Sequence, residues 1–327
     1  MSRFISLLSL VVLIGSLAGF AQAKAYVDAE EAAEHPDFAV QGEYVGTYVG
    51  EDGEARVGLQ VRTSGDGGFT ALAYPGGLPG EGWTGDEPLP SKTTRDADEN
   101  VSLPFGPYAA RFEGDSFVVS NAAGSDVGKL EPVFRESPNA GKKAPEGAIV
   151  LFDGSNVDQL RDGRMTEDGL LIEGATSLLE FEDATIHLEF KIPFMPDGSA
   201  ENRANSGVYI QNRYEVQILD TFGQLPPKNG MAALYRQRAA DLNMTFPPLQ
   251  WQTYDIKFTA PRFDETGEKT ANARFTVIHN GVVVHDDVEL PHGTGAGQAR
   301  GEGGPGPLHL QDHGAPVRYR NVWIRQD

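Results

Sequence analysis

The 327-residue sequence contains no cysteine. This absence excludes disulfide bonds, catalysis by a thiol, zinc held by thiolates and a lipid anchor attached to cysteine. Disulfides stabilise many exported proteins, and they are not available to this chain. Its stability must therefore come from core packing or from bound ions.

Basic residues are also scarce, with 27 Lys and Arg against 47 Asp and Glu and a formal net charge of −20. A surface this acidic repels the phosphates of nucleic acids and of anionic lipids. We therefore expect no nucleic-acid partner. The charge does not disfavour a neutral saccharide as a ligand, and it leaves the oligomeric state open.

Amphipathic helical patterns are absent as well, whereas glycine and proline are frequent, with 39 and 21 residues. Short apolar runs that are separated by turn residues are typical of all-β proteins. The chain is long enough for one large domain or two smaller ones. We therefore predict an all-β protein.

The first 23 residues have the pattern of a cleaved signal peptide. Arg3 precedes an apolar run from Phe4 to Phe20, and Ala21-Gln22-Ala23 has the small residues that signal peptidase prefers. A membrane anchor is the alternative, but the run is short and interrupted by Ser and Gly. We predict a periplasmic or secreted protein without membrane insertion after cleavage.

Composition divides the remaining chain into two β-rich domains. Residues 24–136 contain short strand-like segments between turns and form a predicted accessory β domain. Residues 137–146 contain two prolines and few apolar groups, which is typical of a linker. Residues 147–327 form the second predicted domain.

The second domain has the clearest strand patterns. Residues 186–192 alternate between apolar and polar side chains, which predicts a strand with one polar face. Asn280-Gly281 lies between two β-branched runs and predicts a type I′ hairpin. With at least seven such strands, the domain is expected to form two packed antiparallel sheets.

Several motifs of this domain occur in one order that is similar to that of a known family. They are Leu151-Phe152-Asp153-Gly154, Asn205-Ser206-Gly207-Val208-Tyr209, Tyr214-Glu215-Val216-Gln217-Ile218-Leu219-Asp220, Trp251-Gln252-Thr253-Tyr254, Asn280-Gly281-Val282, Gln311-Asp312-His313-Gly314 and Arg320-Asn321-Val322-Trp323. The domain resembles the 3-keto-disaccharide hydrolase family over about 180 residues. The resemblance implies a concanavalin-A-like β-sandwich, or jelly roll, that acts on an oxidised saccharide.

The same resemblance implies cleavage of glycosides that carry a ketone at C3. A C3 carbonyl acidifies the C2 proton, so a base can remove it, the group at C1 can leave, and water can add. Glu215 lies on the polar face of a predicted strand, and His313 follows the end of another. We predict both as catalytic acid and base residues. A divalent metal could stabilise the enolate, although no spacing in the sequence demands one.

A second set of polar residues is predicted to bind the substrate. Arginines in this set can hold sugar hydroxyls, but they can equally pair with the many carboxylates of the chain. Each side chain lies on a predicted strand or turn near one of the two catalytic candidates. The predicted substrate-binding residues are Tyr209, Gln211, Arg213, Gln217, Asp220, Arg318 and Arg320.

Two other functions fit the sequence. The same sandwich serves lectins, so the domain could be a glycan-binding module without catalytic activity. The spacing of Glu215, Gln217 and Asp220 also resembles the catalytic strand of retaining glycosidases, which use two carboxylates. Gln217 cannot ionise, which disfavours that direct displacement.

Overall fold

A computed structural model describes residues 23–295, 297 and 301–327. The predicted signal peptide therefore lies outside the described residues, except for Ala23. In these ranges the chain forms one short α-helix, Ala29–Ala32, and one 3₁₀ turn, Ala200–Asn202. No helix of the described part has the length and apolar character needed to cross a membrane.

The first sheet consists of eight antiparallel strands. They are β1 (Gly42–Gly50), β2 (Gly53–Gly65), β3 (Gly68–Pro75), β4 (Leu89–Thr94), β5 (Ser102–Phe105), β6 (Tyr108–Glu113), β7 (Ser116–Asn121) and β8 (Asp126–Val133). Their order in the sheet is β4-β3-β2-β1-β8-β7-β6-β5. Each strand therefore pairs with a sequence neighbour, except where β1 meets β8.

This sheet curls until its edge strands β4 and β5 approach each other. Ser91 on β4 donates a hydrogen bond to the carbonyl oxygen of Pro104 on β5, at 2.7 Å. The side chains on the inner face form a separate apolar core, in which Tyr44 packs edge-on against Phe117 with the ring centroids 4.8 Å apart. We call this element the N-terminal barrel.

The remaining strands form a two-sheet sandwich. They are β9 (Ile149–Phe152), β10 (Leu160–Arg161), β11 (Leu171–Ile172), β12 (Thr176–Phe181), β13 (Ala184–Lys191), β14 (Ser206–Ile210), β15 (Tyr214–Ile218), β16 (Trp251–Thr259), β17 (Arg262–Phe263), β18 (Lys269–Ala271), β19 (Ala273–His279), β20 (Val282–Leu290), β21 (Gly306–Leu310) and β22 (Arg318–Gln326). β17 and β18 form a small separate ribbon.

The sandwich packs a five-stranded sheet against a seven-stranded one. The smaller sheet has the order β10-β12-β21-β14-β15, and the larger one has β11-β22-β13-β16-β19-β20 with β9 paired to β22. Apolar side chains of both sheets meet in one core, for example Ile186, Val208, Ile256 and Tyr319. The predicted all-β sandwich fold is therefore confirmed.

The predicted hairpin turn at Asn280-Gly281 is also confirmed. Asn280 and Gly281 have φ values of 49° and 82°, and the turn joins β19 to β20. Positive φ at both central positions is the type I′ geometry that matches the twist of the two strands.

The predicted linker does not extend into solvent, because its first half lies on the outer face of the seven-stranded sheet. Ser137 Oγ lies 2.6 Å from Thr253 Oγ1, and Asn139 donates to Asp255 at 2.7 Å. The Lys142 ammonium forms an ion pair with the same Asp255 at 2.6 Å. The polar residues that suggested a linker pair with polar groups of this sheet.

His187 lies at the centre of these contacts and is fully buried. Its Nδ1 lies 3.0 Å from Asp255, and its Nε2 lies 3.8 Å from Glu189. Burial alone would lower the pKa of His187, but the two carboxylates outweigh burial and raise the pKa. The backbone amide of Gly141 also donates to Glu189, so residues 137–142 and His187 bind the same carboxylates.

A second set of polar contacts joins the sandwich to the barrel. The buried Arg203 pairs with Asp220 through Nε at 2.6 Å, just after β15. Its Nη1 donates to the carbonyl oxygen of Thr63 at the end of β2, and its Nη2 donates to Gln41. One guanidinium thus connects the two domains.

Gly46 lets β1 and β8 approach closely, because a Cβ at this position would overlap the carbonyl oxygen of Lys129. We expect Gly46→Ala to lower the free energy of unfolding by about 1–3 kcal/mol through this overlap. Gly42→Ala on the same strand is the matched control, since a Cβ there meets nothing closer than 3.7 Å. Urea denaturation measures both, and equal stabilities would contradict the prediction.

Candidate functional site

The outer face of the five-stranded sheet carries a row of polar and aromatic side chains. Val208 and Ile210 point into the sandwich core, so Tyr209 between them points to the opposite face. The same alternation on β15 directs Glu215 outward, between Tyr214 and Val216. Loops cover this face, and Tyr209 and Glu215 are each only 2% exposed.

Strand register aligns the members of the row. Tyr209 is the direct partner of Glu215 on one side and of His309 on the other. His309 in turn is the partner of Thr176 on β12. Because directly paired side chains on one face lie about 5 Å apart, these four residues are neighbours.

A fifth residue joins the row from the segment that follows β15. Leu234 forms a bridge with Val216 of β15, and the amide of Tyr235 donates to the carbonyl oxygen of Glu215 at 3.1 Å. Tyr235 therefore lies beside Glu215 on the outer face. His309 and Tyr235 are partly exposed, so the row is open to solvent at these two residues. We call Thr176, His309, Tyr209, Glu215 and Tyr235 the outer-face row.

Glu215 has the most perturbed carboxyl group of this row. Burial raises its pKa to about 7, and the Tyr209 hydroxyl and the charge of Arg236 oppose only part of that rise. Its Oε2 is buried and accepts no hydrogen bond from any described residue. A carboxyl group with this pKa can both accept and donate a proton at neutral pH.

The two neighbours of Glu215 on the inner strands remain uncharged. Burial and the adjacent Glu215 raise the pKa of Tyr209, so its hydroxyl stays protonated and can donate a hydrogen bond. Burial lowers the pKa of His309, which favours the neutral imidazole. Its Nδ1 lies 2.9 Å from Thr176 Oγ1.

Gly207 and Gln217 form the next pair along the same face. A Cβ at Gly207 would overlap the Glu215 carboxylate, so glycine is required for Glu215 to lie across the strand. The Gln217 side chain accepts from the amide of Ile218 at 3.0 Å and donates to the carbonyl oxygen of Asn229 at 3.4 Å. Among the predicted substrate-binding residues, Tyr209 and Gln217 are thus adjacent to Glu215.

Three other predicted binding residues form hydrogen bonds or ion pairs within the protein, and their role in substrate binding stays a prediction. Gln211 is fully buried at the β14–β15 turn, with a φ of 53°, and its amide donates to Phe181. Arg213 donates to Gln211 and to the carbonyl oxygens of Gly303 and Gly304. Asp220 holds Arg203 between the domains.

His313 is exposed and lies in the turn after β21, near Asp312 and Gly314. Among the described residues, no hydrogen bond or ion pair joins it to Glu215. β21 passes Tyr209 at His309 and ends at Leu310, so His313 lies beyond the end of the strand, in the turn that follows it. The structure brings His309 rather than His313 to the outer-face row.

Arg318 and Arg320 lie on the other side of the sandwich. Tyr319 between them points into the core, so both arginines project from the outer face of the seven-stranded sheet. Arg318 pairs with Glu173 at 2.6 Å, and Arg320 pairs with Glu189 at 2.8 Å. Both arginines therefore pair with carboxylates of the chain, and their role in substrate binding stays a prediction.

Sequence reasoning did not identify His309, Thr176 and Tyr235. The alternation of His309 with the buried Leu308 and Leu310 was available as a sign that it faces outward. Its position beside Tyr209, however, depends on a non-local strand pairing that no local pattern specifies. Within the described ranges, no three His, Asp or Glu side chains are grouped as metal ligands.

The raised pKa of Glu215 should make stability depend on pH. The native state keeps this proton up to about pH 7, whereas the unfolded chain loses it near 4.5. The free energy of unfolding therefore falls as the pH rises through this interval. Relative to the parent protein, Glu215→Gln should gain about 1–3 kcal/mol between pH 4 and pH 8.

Urea denaturation across this pH range measures the difference. Glu54→Gln, which makes the same charge change at an exposed position of the barrel, is the control and should show no such trend. Parallel pH curves for the parent and Glu215→Gln would contradict a buried, protonated Glu215.

Comparisons with known proteins show which family the sandwich domain resembles. A family model of 3-keto-alpha-glucoside-1,2-lyase-like domains matches residues 147–325, which is most of the sandwich. A 2.13 Å crystal structure from Parabacteroides distasonis ATCC 8503, provisionally described as a glycosyl hydrolase, is 32% identical with a TM-score of 0.51. The match covers 56% of this chain and 85% of that one. No curated protein matches the chain.

Two further crystal structures from the same organism, with the same provisional description, are more distant. One is 17% identical with a TM-score of 0.41 and covers 60% of this chain and 98% of that one. The other is 23% identical with a TM-score of 0.38, with 55% and 99% covered. These scores are too low to support an argument.

The family match spans more than half of the sequence, and the chain belongs to the 3-keto-alpha-glucoside-1,2-lyase-like domain family.

Proposed function

We propose that this protein cleaves glycosides that carry a ketone at C3, by removing the C2 proton, expelling the C1 substituent and adding water. Membership of the family and its 32%-identical relative support a carbohydrate-active, glycosyl-hydrolase-like function. The narrower reaction rests on one observation, the buried Glu215 carboxyl group with a pKa of about 7 and an unpartnered oxygen.

The reaction needs no oxidant, because the ketone is already present in the substrate. A base takes the proton from C2, and the C–H electron pair forms an enolate with the C3 carbonyl. The enolate re-forms the C3 carbonyl and breaks the C1–O bond, which leaves a C1=C2 double bond and an alkoxide that takes a proton from water to become the alcohol. Water then adds to C1 while C2 regains a proton, so the net change is hydrolysis.

Glu215 is the proposed base for the C2 proton. Near pH 7 this carboxyl group is ionised in about half of the protein molecules. The proton that it accepts can return to C2 in the hydration step. Tyr209 is directly paired with Glu215 and keeps its proton, so it can donate to the developing enolate oxygen. His309, neutral and beside Tyr209, is the proposed hydrogen-bond donor that stabilises the charge on the leaving oxygen.

The contacts of the nearby carboxylates favour elimination over direct displacement. A retaining glycosidase needs two carboxyl groups about 5–5.5 Å apart. Gln217 cannot supply the second one, and Asp220 is bound to Arg203 at 2.6 Å. One proton-transferring carboxyl group next to a phenol fits an enolate mechanism better.

We also propose that the reaction takes place outside the cytoplasm, since residues 1–23 have a signal-peptide pattern. The substrate would then be a saccharide that has already been oxidised at C3 by another enzyme.

Proton exchange at C2 provides the sharpest test. The purified protein is incubated in D₂O with a 3-keto-glucoside that carries a p-nitrophenyl leaving group. We expect nitrophenol release together with deuterium at C2 of the product, and kcat/KM should rise with pH through about 7 as Glu215 ionises. Glu215→Gln should lower kcat by roughly 10²–10⁴-fold.

Variants at the two histidines distinguish the candidate acids. His309→Gln should lower kcat, whereas His313→Gln should leave it near the parent value. The reverse result would indicate that His313, and not His309, assists the departure of the leaving group. Saccharide binding without nitrophenol release, and unchanged in Glu215→Gln, would sink the proposed reaction and identify a glycan-binding module.

A further inference from the structure

The strongest unexplained group lies between the barrel and the sandwich. Leu59 and Val61 of β2 point into the barrel core, so Arg62 points outward toward the sandwich. Gly223, just after β15, approaches its Cβ so closely that an added methyl there would lie 3.3 Å away. Arg62 is only 8% exposed, which is rare for an arginine without a partner.

No described residue accepts a hydrogen bond from the guanidinium of Arg62, and its Nε is completely buried. Arg203, in the same interdomain region, differs. Arg203 binds Asp220, the carbonyl oxygens of Thr63 and Pro196, and the side chain of Gln41. The fold therefore satisfies the guanidinium of Arg203, whereas the buried Nε of Arg62 has no hydrogen-bond partner among the described residues.

The charges of this region do not balance. Arg62 is influenced by two charged groups, the cation of Arg203 and the anion of Asp220. Two guanidiniums thus share one carboxylate, which already accepts from Arg203 and from the amide of Phe222. Burial lowers the pKa of Arg62 to about 10, so it still carries its charge at neutral pH. An unpaired buried cation is costly, and an anion would remove that cost.

We propose that the interdomain region around Arg62 binds a small oxyanion, that is, a carboxylate, sulfate or phosphate group. A guanidinium presents paired donors in a planar fork, and this fork matches two oxygens of an oxyanion better than a halide or a neutral hydroxyl. The remainder of the chain carries a strong negative charge, so a buried positive group is unlike its surroundings. The inference does not depend on the proposed reaction.

The oxyanion has two potential sources, a free inorganic ion or an acidic group on a saccharide. Asp220 follows the end of β15, the strand that carries Glu215, so the Arg62 region lies beyond that end of the outer-face row. A sugar acid that occupies the row could extend toward Arg62, whereas a free anion needs no such connection. The shared chemistry is recognition of an oxyanion by Arg62.

Thermal unfolding with increasing sulfate tests the site, with chloride added to keep the ionic strength constant. We expect a saturating rise of about 3–5 °C in the Tm of the parent protein. Arg62→Met should abolish the rise, and Arg62→Lys, which keeps the charge but not the fork, should reduce it. Lys129→Met is the matched control, because it removes one positive charge from an exposed position of the same barrel.

A sulfate response that is equal in Arg62→Met and the parent, or absent in the parent, would overturn the proposal. Arg62→Met should also be at least as stable as the parent without sulfate, since it removes an unpaired buried charge. If Arg62→Met fails to fold, the comparison of Arg62→Lys with Lys129→Met decides in the same way. Methyl glucuronide and neutral methyl glucoside, each in place of sulfate, then distinguish a sugar-borne oxyanion from a free one.

Discussion

The antiparallel register between β14 and β15 determines what the outer face of the five-stranded sheet can do. Tyr209 and Glu215 are opposite each other only because the turn between these strands has its particular length. A shift of β15 by one residue would turn Glu215 into the core and bring Val216 outward, opposite Tyr209. The buried Gln211 and Arg213 hold this turn through hydrogen bonds, so they help to fix the geometry of the Tyr209–Glu215 pair.

The buried carboxylates differ in whether a positively charged partner lowers their pKa. Glu189 and Asp255 are buried, but hydrogen bonds from histidine, asparagine, lysine or arginine lower their pKa values. Asp220 is likewise bound to a guanidinium. Glu215 is equally buried but has no ion-pair partner, so its pKa rises. Burial therefore raises the pKa of a carboxyl group only where no cation compensates for it, and the proposed role of Glu215 depends on that difference.

Local patterns in the sequence predicted the individual strands and turns better than they predicted which strands lie side by side. Strand alternation identified the all-β fold and the outward direction of Glu215, and Asn280-Gly281 predicted its turn. These features depend on a few consecutive residues. The row that surrounds Glu215 instead depends on pairing between strands about a hundred residues apart, as in Tyr209 and His309. Composition alone also could not show that residues 137–142 bind the sheet, because polar residues suit both solvent and buried polar partners.

The attachment of residues 137–142 to the seven-stranded sheet limits how the two domains could be recombined. A sandwich excised at residue 147 would keep the family-matched region but uncover Glu189 and Asp255 beside the protonatable His187. A sandwich that is to be transplanted into another protein should therefore begin before Ser137. That start lies upstream of the family-matched region, which begins at residue 147. Residues 137–142 therefore form part of the second domain, because their polar contacts cover the outer face of its seven-stranded sheet.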